Sequence, residues 1–290
     1  MQKILSPLND FVFKLIFGDK RHSNILAAFL KATLDLPTEE FDRLVIADPH
    51  LNREHTGDKT GILDVKVHTK SGVIINVEVQ VASYAGLRNR FVFYPAKLLV
   101  SQAKRGAKYR KLAPVVSIII MEELLVPEDE GYYNEYGLIN KRTGTVFSDV
   151  LRINVLELSK LPQSADMIPS GERPLWQWGR FFQARTEEEF KMAAEQGGAI
   201  REAVDVLMEV SEDELAQMRA IEREIFLMDQ ASREDYHEEI GYNRGLAKGL
   251  AKGLEKGRQE GEAKGRKILD LMRQGYTVEQ IEAVLASQTR

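Results

Sequence analysis

Apolar positions change their spacing several times along the 290-residue chain, and each change marks an element. Over the first forty residues the spacing is helical. Phe11, Phe13, Leu15, Ile16 and Phe17 follow Ser6-Pro7-Leu8-Asn9-Asp10 and stop at Gly18, with Asn9 or Asp10 placed to cap the first turn. Of the two readings for Asp10, helix cap or outer acidic group, the cap is preferred. A second helix is predicted over 23–34, ending before Pro37. Residues 44–51 alternate as a strand, with Asp48-Pro49 marking a bend or an edge. Residues 61–80, GILDVKVHTKSGVIINVEVQ, hold two apolar runs around Lys70-Ser71-Gly72, a turn-forming set that predicts a β-hairpin. Helical spacing returns over 84–107, where Pro95 must kink or divide the helix. PVVSIIIM at 114–121 is continuously apolar, as in a strand buried on both faces and added in parallel after a crossover helix. Two or three strands fill 132–158 around a turn near 141–144, either extending the sheet or forming a small subdomain.

From residue 161 the pattern is helical. After a loop at 162–174, Trp176, Trp178, Phe181 and Phe182 read as core anchors. Helices follow at 186–196, 200–210 and 212–229, the last opened by Ser211-Glu212-Asp213-Glu214 in a capping-box arrangement. The fold class is therefore α/β, a mixed sheet flanked by helices, followed by an α-helical C-terminal region.

Polar side chains interrupt the hairpin where they are expensive to bury. On a strand, side chains two apart share a face. Asp64, Lys66 and His68 share one face, and Asn76, Glu78 and Gln80 share another. If the register brings these faces together, Asp64 lies opposite Glu78. Two carboxylates with few cations nearby form a hard-oxygen site suited to Mg²⁺, and Mg²⁺ sites commonly serve phosphate-ester hydrolysis. The plainer alternative is an ordinary ion pair of Asp64 with Lys66, leaving Glu78 solvated at an edge.

Charge sharpens the picture more than composition does. The net charge of −4 announces no nucleic-acid binder, yet residues 84–113 carry eight basic side chains (Arg88, Arg90, Lys97, Lys104, Arg105, Lys108, Arg110, Lys111) and no acidic one. Immediately after the carboxylate hairpin, such a run is placed to neutralise a DNA backbone, with Arg88, Arg90, Lys97, Lys104 and Arg105 as the contacts. A solvated helix face is the alternative. There is no cysteine, which excludes disulfides and thiolate metal sites and fits a reducing, cytoplasmic setting. His50, His55 and His68 lack zinc-ligand spacing. No apolar run approaches a membrane span.

Near the C-terminus, glycines recur every four residues from Gly241 to Gly265, separated by Leu, Ala, Lys, Arg and Glu. A period of four advances each glycine by about 40° around a helix, and each interior glycine costs about 1 kcal/mol relative to Ala. Such a helix frays unless a partner uses its small surface. Self-association and phosphate contact are the functional readings; drift of a solvated repeat is the other. The intervening Lys and Arg exclude a membrane dimerisation motif. Residues 268–287 read as two short helices around a capped turn.

Asp64, followed fourteen residues later by Glu78-Val79-Gln80, resembles the D…(D/E)xK signature of the PD-(D/E)XK nuclease superfamily, with Gln80 in place of Lys. The opening SPLNDFVFKLIFGD and the stretch from Arg90-Phe91-Val92-Phe93-Tyr94 to Gln102 and Tyr109 are similar to the Rpn branch, recombination-promoting nucleases described as transposases. The resemblance covers a nuclease-like domain at 1–161; the residue pattern adds a helical region at 162–240 and a glycine-repeat tail at 241–290. It implies Mg²⁺ on Asp64, Glu78 and the Val79 carbonyl, with Gln80 orienting water or substrate. A neutral amide stabilises developing negative charge less than an ammonium does, and Lys66 is the candidate for the missing charge. The expected function is Mg²⁺-dependent cleavage of DNA, in recombination or element mobility. The alternative is a catalytically weak or inactive DNA-binding or oligomerising module, including a homo-oligomer built through the tail.

Overall fold

A computed structural model describes residues 4–47, 64–103 and 108–286, excepting the side chains of 230–239, 243, 247 and 283–286. The Asp48-Pro49 bend, His50, His55, Lys104 and Arg105 lie outside the described residues. The chain forms two compact units, residues 1–224 and 225–290.

The first unit is built on a six-stranded sheet, β1 (Val45–Ala47), β2 (Val65–His68), β3 (Ile74–Gln80), β4 (Val115–Met121), β5 (Tyr133–Ile139) and β6 (Val146–Glu157), in the order β1-β2-β3-β4-β6-β5. β1, β2 and β3 are antiparallel neighbours, and β2 turns into β3 through Gly72, whose φ of +92° suits glycine. β4 joins β3 in parallel, and β6 joins β4 in parallel. The crossover before β4 is α3 (Leu87–Ser101), which runs unbroken through the buried Pro95 rather than dividing there. β5 pairs antiparallel with β6, so residues 133–157 extend the sheet.

Parity sorts the two sheet faces. Ile75, Val77 and Val79 of β3 and Val116, Ile118 and Ile120 of β4 enter the main core. That core is shared with α1 (Asp10–Phe17), α2 (Ser23–Thr33), α4 (Arg173–Gln183), α5 (Glu187–Ala194) and α6 (Gly198–Glu212). Its centre is aromatic: Phe17, Phe29, Trp178, Phe181 and Phe182 meet with ring centroids 5.3–6.4 Å apart. Trp178 is a core anchor, and the half-buried Trp176 donates Nε1–H to the Pro162 carbonyl at 2.7 Å. On the opposite face Ile74, Val115, Ile119 and Met121 pack with Leu87, Phe91 and Leu98 of α3. The even positions of β3 face α3, and this sets the site.

Two cap expectations need correction. Asn9, not Asp10, caps α1, its Oδ1 accepting from the Phe11 and Val12 amides. Ser211 lies inside the last turn of α6, donating to the Leu207 carbonyl and accepting from the Leu5 amide. The following helix, α7 (Glu214–Arg273), is opened by Asp213, whose Oδ1 accepts from the Ala216 amide at 2.8 Å. A capping box does occur at α5, between Thr186 and Glu189.

In the second unit the helix is continuous through the glycine repeat and ends at Gly275, φ +87°. The Tyr276 amide returns to the Leu271 carbonyl, the hydrogen-bond pattern of a glycine-terminated helix. The first of the two short helices expected here is thus the end of a 60-residue one. The second is α8 (Val278–Ala286), opened by a reciprocal pair between Thr277 and Gln280. Leu246, Leu250 and Leu254 stand 61–68% exposed along the glycine stripe, and a Cβ added at any repeat glycine meets nothing within 4 Å.

Candidate active site

Asp64 sits in the bend just before β2. The antiparallel register Val65↔Val77 and Lys66↔Asn76, carried one step back, sets Asp64 across from Glu78. The register therefore brings together the two faces that the spacing defines. Asp64 Oδ2 accepts the Val79 amide at 2.9 Å, locking the carboxylate to the end of β3. Within an extended strand a residue's N–H and C=O leave on the same side, so the Val79 carbonyl also points toward the Asp64 strand.

Both acids are buried, Asp64 at 9% and Glu78 at 4% exposure. Glu78 is therefore not a solvated edge residue. Burial raises the Asp64 carboxyl above its ordinary value, against the pull of Lys14 and the Val79 amide. Burial likewise pushes Glu78 up to about 7; the guanidinium of Arg90 opposes this and the charge of Asp64 adds to it.

The sequence pattern gave these acids few cations, and the structure supplies two. Lys14, on α1, places Nζ 3.1 Å from Asp64 Oδ1 and 3.7 Å from Asp10 Oδ2. Arg90, on α3, binds Glu78 with one terminal nitrogen. With the other it donates to Gln80 Oε1 and the Tyr84 hydroxyl, both at 3.2 Å. Its guanidinium carbon stands 5.5 Å from the Tyr94 ring centroid. Lys66 is not the partner of Asp64; it stands opposite Asn76 in the ladder. Gln80 Nε2 donates to the Ala82 carbonyl at 2.9 Å, so its amide is fixed between that carbonyl and Arg90.

The basic segment divides. Arg90 is at the carboxylates. Lys97 lies seven residues further along α3, hence on the same helical stripe, and is half-buried. Arg88 turns away: it donates to the Leu125 carbonyl at 2.7 and 3.0 Å and pairs with Glu128 at 3.0 Å. Lys14 was missed by the sequence pattern, although its spacing from Asp10 is the i,i+4 signature of a helical ion pair. Asp10 is held in turn by Arg223, whose Nε reaches both carboxylate oxygens at 2.8 and 2.9 Å.

The donor set fits a hard divalent cation: two carboxylates that burial penalises when charged, and a carbonyl directed to the same end. Asn76 Oδ1, fully buried on the Glu78 face, has no hydrogen-bond donor. Among the described residues no cluster of three or more His, Cys, Asp or Glu side chains could hold a metal.

A family model described as PD-(D/E)XK nuclease family transposase matches residues 7–237. Neither comparison with curated proteins nor comparison with solved structures gave a significant match. No helix among the described residues is long and apolar enough to cross a membrane.

Proposed function

The chain belongs to the PD-(D/E)XK nuclease family transposases, and on that premise we propose that it is a Mg²⁺-dependent DNA endonuclease. The observation that carries this reading is the convergence of buried Asp64 and Glu78 across the β2–β3 register, with Asp64 tied to the Val79 amide. Asp64, Glu78 and the Val79 carbonyl would hold the cation. When bound, it supplies Lewis-acid stabilisation of charge developing on the scissile phosphate. The protein's own part is to bury the two carboxylates and to fix their orientation. Gln80, held by Arg90 and Ala82, is oriented to position water or a phosphate oxygen. Arg90 and Lys97 line the approach for the DNA backbone, and Lys104 and Arg105 continue the same basic stretch. This reading assigns DNA as the partner, a cytoplasmic setting, and self-association to the glycine tail.

Nicking of supercoiled plasmid with and without Mg²⁺, by wild type and by Asp64→Ala, tests it. Mg²⁺-dependent nicking confined to wild type is expected; equal background in both proteins refutes it. A second reading is favoured by the charges at the site. Lys14 and Arg90 already neutralise both carboxylates, and position 80 carries no cation. These suit a DNA-binding or assembly module that has lost its chemistry. DNA binding unaffected by divalent ions, with no nicking, would select it.

A further inference from the structure

We propose that Lys14 supplies the ammonium that the D…ExQ motif lacks at position 80, and so is a catalytic residue delivered from the first helix rather than from β3. This rests on the nuclease reading above and adds a residue to it.

Position 80 leaves the motif short of one positive charge. Gln80 is neutral, and its amide is engaged on both ends. Hydrolysis of a phosphodiester needs positive charge where negative charge develops, and an oriented ammonium in a dry site meets that need where an amide does not. Lys66 shares the strand face of Asp64, but it stands across from Asn76 and leaves Asp64 to another partner. Arg90 is a guanidinium bound to Glu78, Gln80 and Tyr84 and seated near the Tyr94 ring. It is a planar, fixed cation suited to a phosphate oxygen rather than a compact donor.

Lys14 offers a compact ammonium instead. Its ammonium lies 3.1 Å from Asp64 Oδ1, the oxygen not used by the Val79 amide. A third of its side chain remains exposed, so substrate can reach it. Its position is set from behind: Asp10 lies one helical turn earlier and is clamped by Arg223 from α7. An ion pair serving only to balance Asp64 would need no such backing. The Arg223–Asp10–Lys14–Asp64 chain holds one ammonium at the carboxylate with its approach still open.

The step is hydrolysis. A lone pair of the water oxygen forms the new P–O bond. The bond from phosphorus to the leaving sugar oxygen breaks, its electrons staying on that oxygen. One water proton is lost to solvent and the leaving oxygen takes up a proton. Lys14 donates hydrogen bonds to the phosphate oxygen that gains charge and stays protonated throughout.

The full-length wild type, Lys14→Met, Lys14→Arg and the double variant Lys14→Met/Gln80→Lys would be compared by single-turnover plasmid cleavage at saturating Mg²⁺ and by calorimetric titration with Mn²⁺. Lys14→Met should lose ~100-fold in cleavage, the scale of one removed charge-stabilising donor, while binding Mn²⁺ as tightly as wild type or tighter. Restoring lysine at position 80 should regain at least about tenfold of that loss, which a merely structural lysine would not permit. Lys14→Arg keeps the ion pairs, and should fold even if Lys14→Met does not; it should still lose about tenfold, because a guanidinium does not reproduce the ammonium's geometry. Cleavage by either single variant within threefold of wild type overturns the proposal, as does loss of Mn²⁺ binding in step with cleavage, or a double variant no faster than Lys14→Met. A wild type that binds no Mn²⁺ and cleaves nothing overturns the nuclease reading itself, and the proposal falls with it.

Discussion

Glu78 makes the metal-free protein's stability depend on pH in an unusual direction. Its carboxyl is raised from 4.5 to about 7, with burial as the first cause and Arg90 opposing. The folded state therefore keeps a proton that the unfolded chain has released. The stabilisation is fully present below about pH 4.5 and is lost as pH rises through about 7. At about 1.4 kcal/mol for each pH interval between the two values, the full effect is about 3 kcal/mol. Urea unfolding in EDTA at pH 5 and pH 8, for wild type and Glu78→Gln, measures it. His68, whose imidazole is lowered by burial, acts in the opposite sense, losing stability as pH falls, but it is common to both proteins and cancels in the comparison. The stability of wild type minus that of the variant should fall by about 2–3 kcal/mol between those pH values. A divalent ion takes the ionised carboxylate, so added Mg²⁺ should stabilise wild type more at pH 8 than at pH 5. A difference that stays flat across this range would refute the claim that burial outweighs the Arg90 pairing.

Three further outcomes are expected. Trp178→Ala empties the centre of the aromatic cluster and should cost about 3–5 kcal/mol in denaturant unfolding. Arg90→Gln should weaken DNA binding across sequences and lower the slope of log affinity against log salt by about one, measured by anisotropy in Ca²⁺. Gly249→Ala with Gly253→Ala should raise helicity by circular dichroism, at about 1 kcal/mol per site, since the added methyls meet nothing within the chain. If the tail self-associates through these glycines, the same pair should lower the mass seen by light scattering; an unchanged mass argues against that face.

Much of the sheet was legible because its signals are local. Lys70-Ser71-Gly72 marks the β2–β3 turn, and the run at 114–121 has the unbroken apolar character of a strand covered on both faces. Parity grouped Asp64 on one strand face and Glu78 on another, and the register that joins them is the one the reading required. What escaped was the charge around them. Lys14 and Arg90 reach the acids from helices on either side in sequence, and an ion pair between distant segments leaves no periodic trace. Asp10 and Lys14 carry a visible i,i+4 spacing, but helix capping is a sufficient reason for an acid at Asp10, one of the two cap candidates, and only the structure assigns the cap to Asn9. The long helix escaped for a different reason: glycine propensity argues for interruption every four residues, yet exposed i,i+4 pairs such as Arg258–Glu262 and Lys256–Glu260 support it across the repeat.

The sheet order has a consequence for how the chain assembles. β6 is the last strand to be synthesised, yet it lies between β4 and β5. Until residue 157 has emerged from the ribosome, the edge of β4 stays unpaired, and β5 has no neighbour to join. The β5–β6 ribbon, joined at the Asn140–Gly144 turn where Gly144 has φ +74°, must therefore be in place before the β4 edge is covered. Parallel pairing over so long a loop is slow, and a residue that stiffens that turn wrongly would prolong the time the β4 edge, buried along its whole length in the folded chain, is available to other chains.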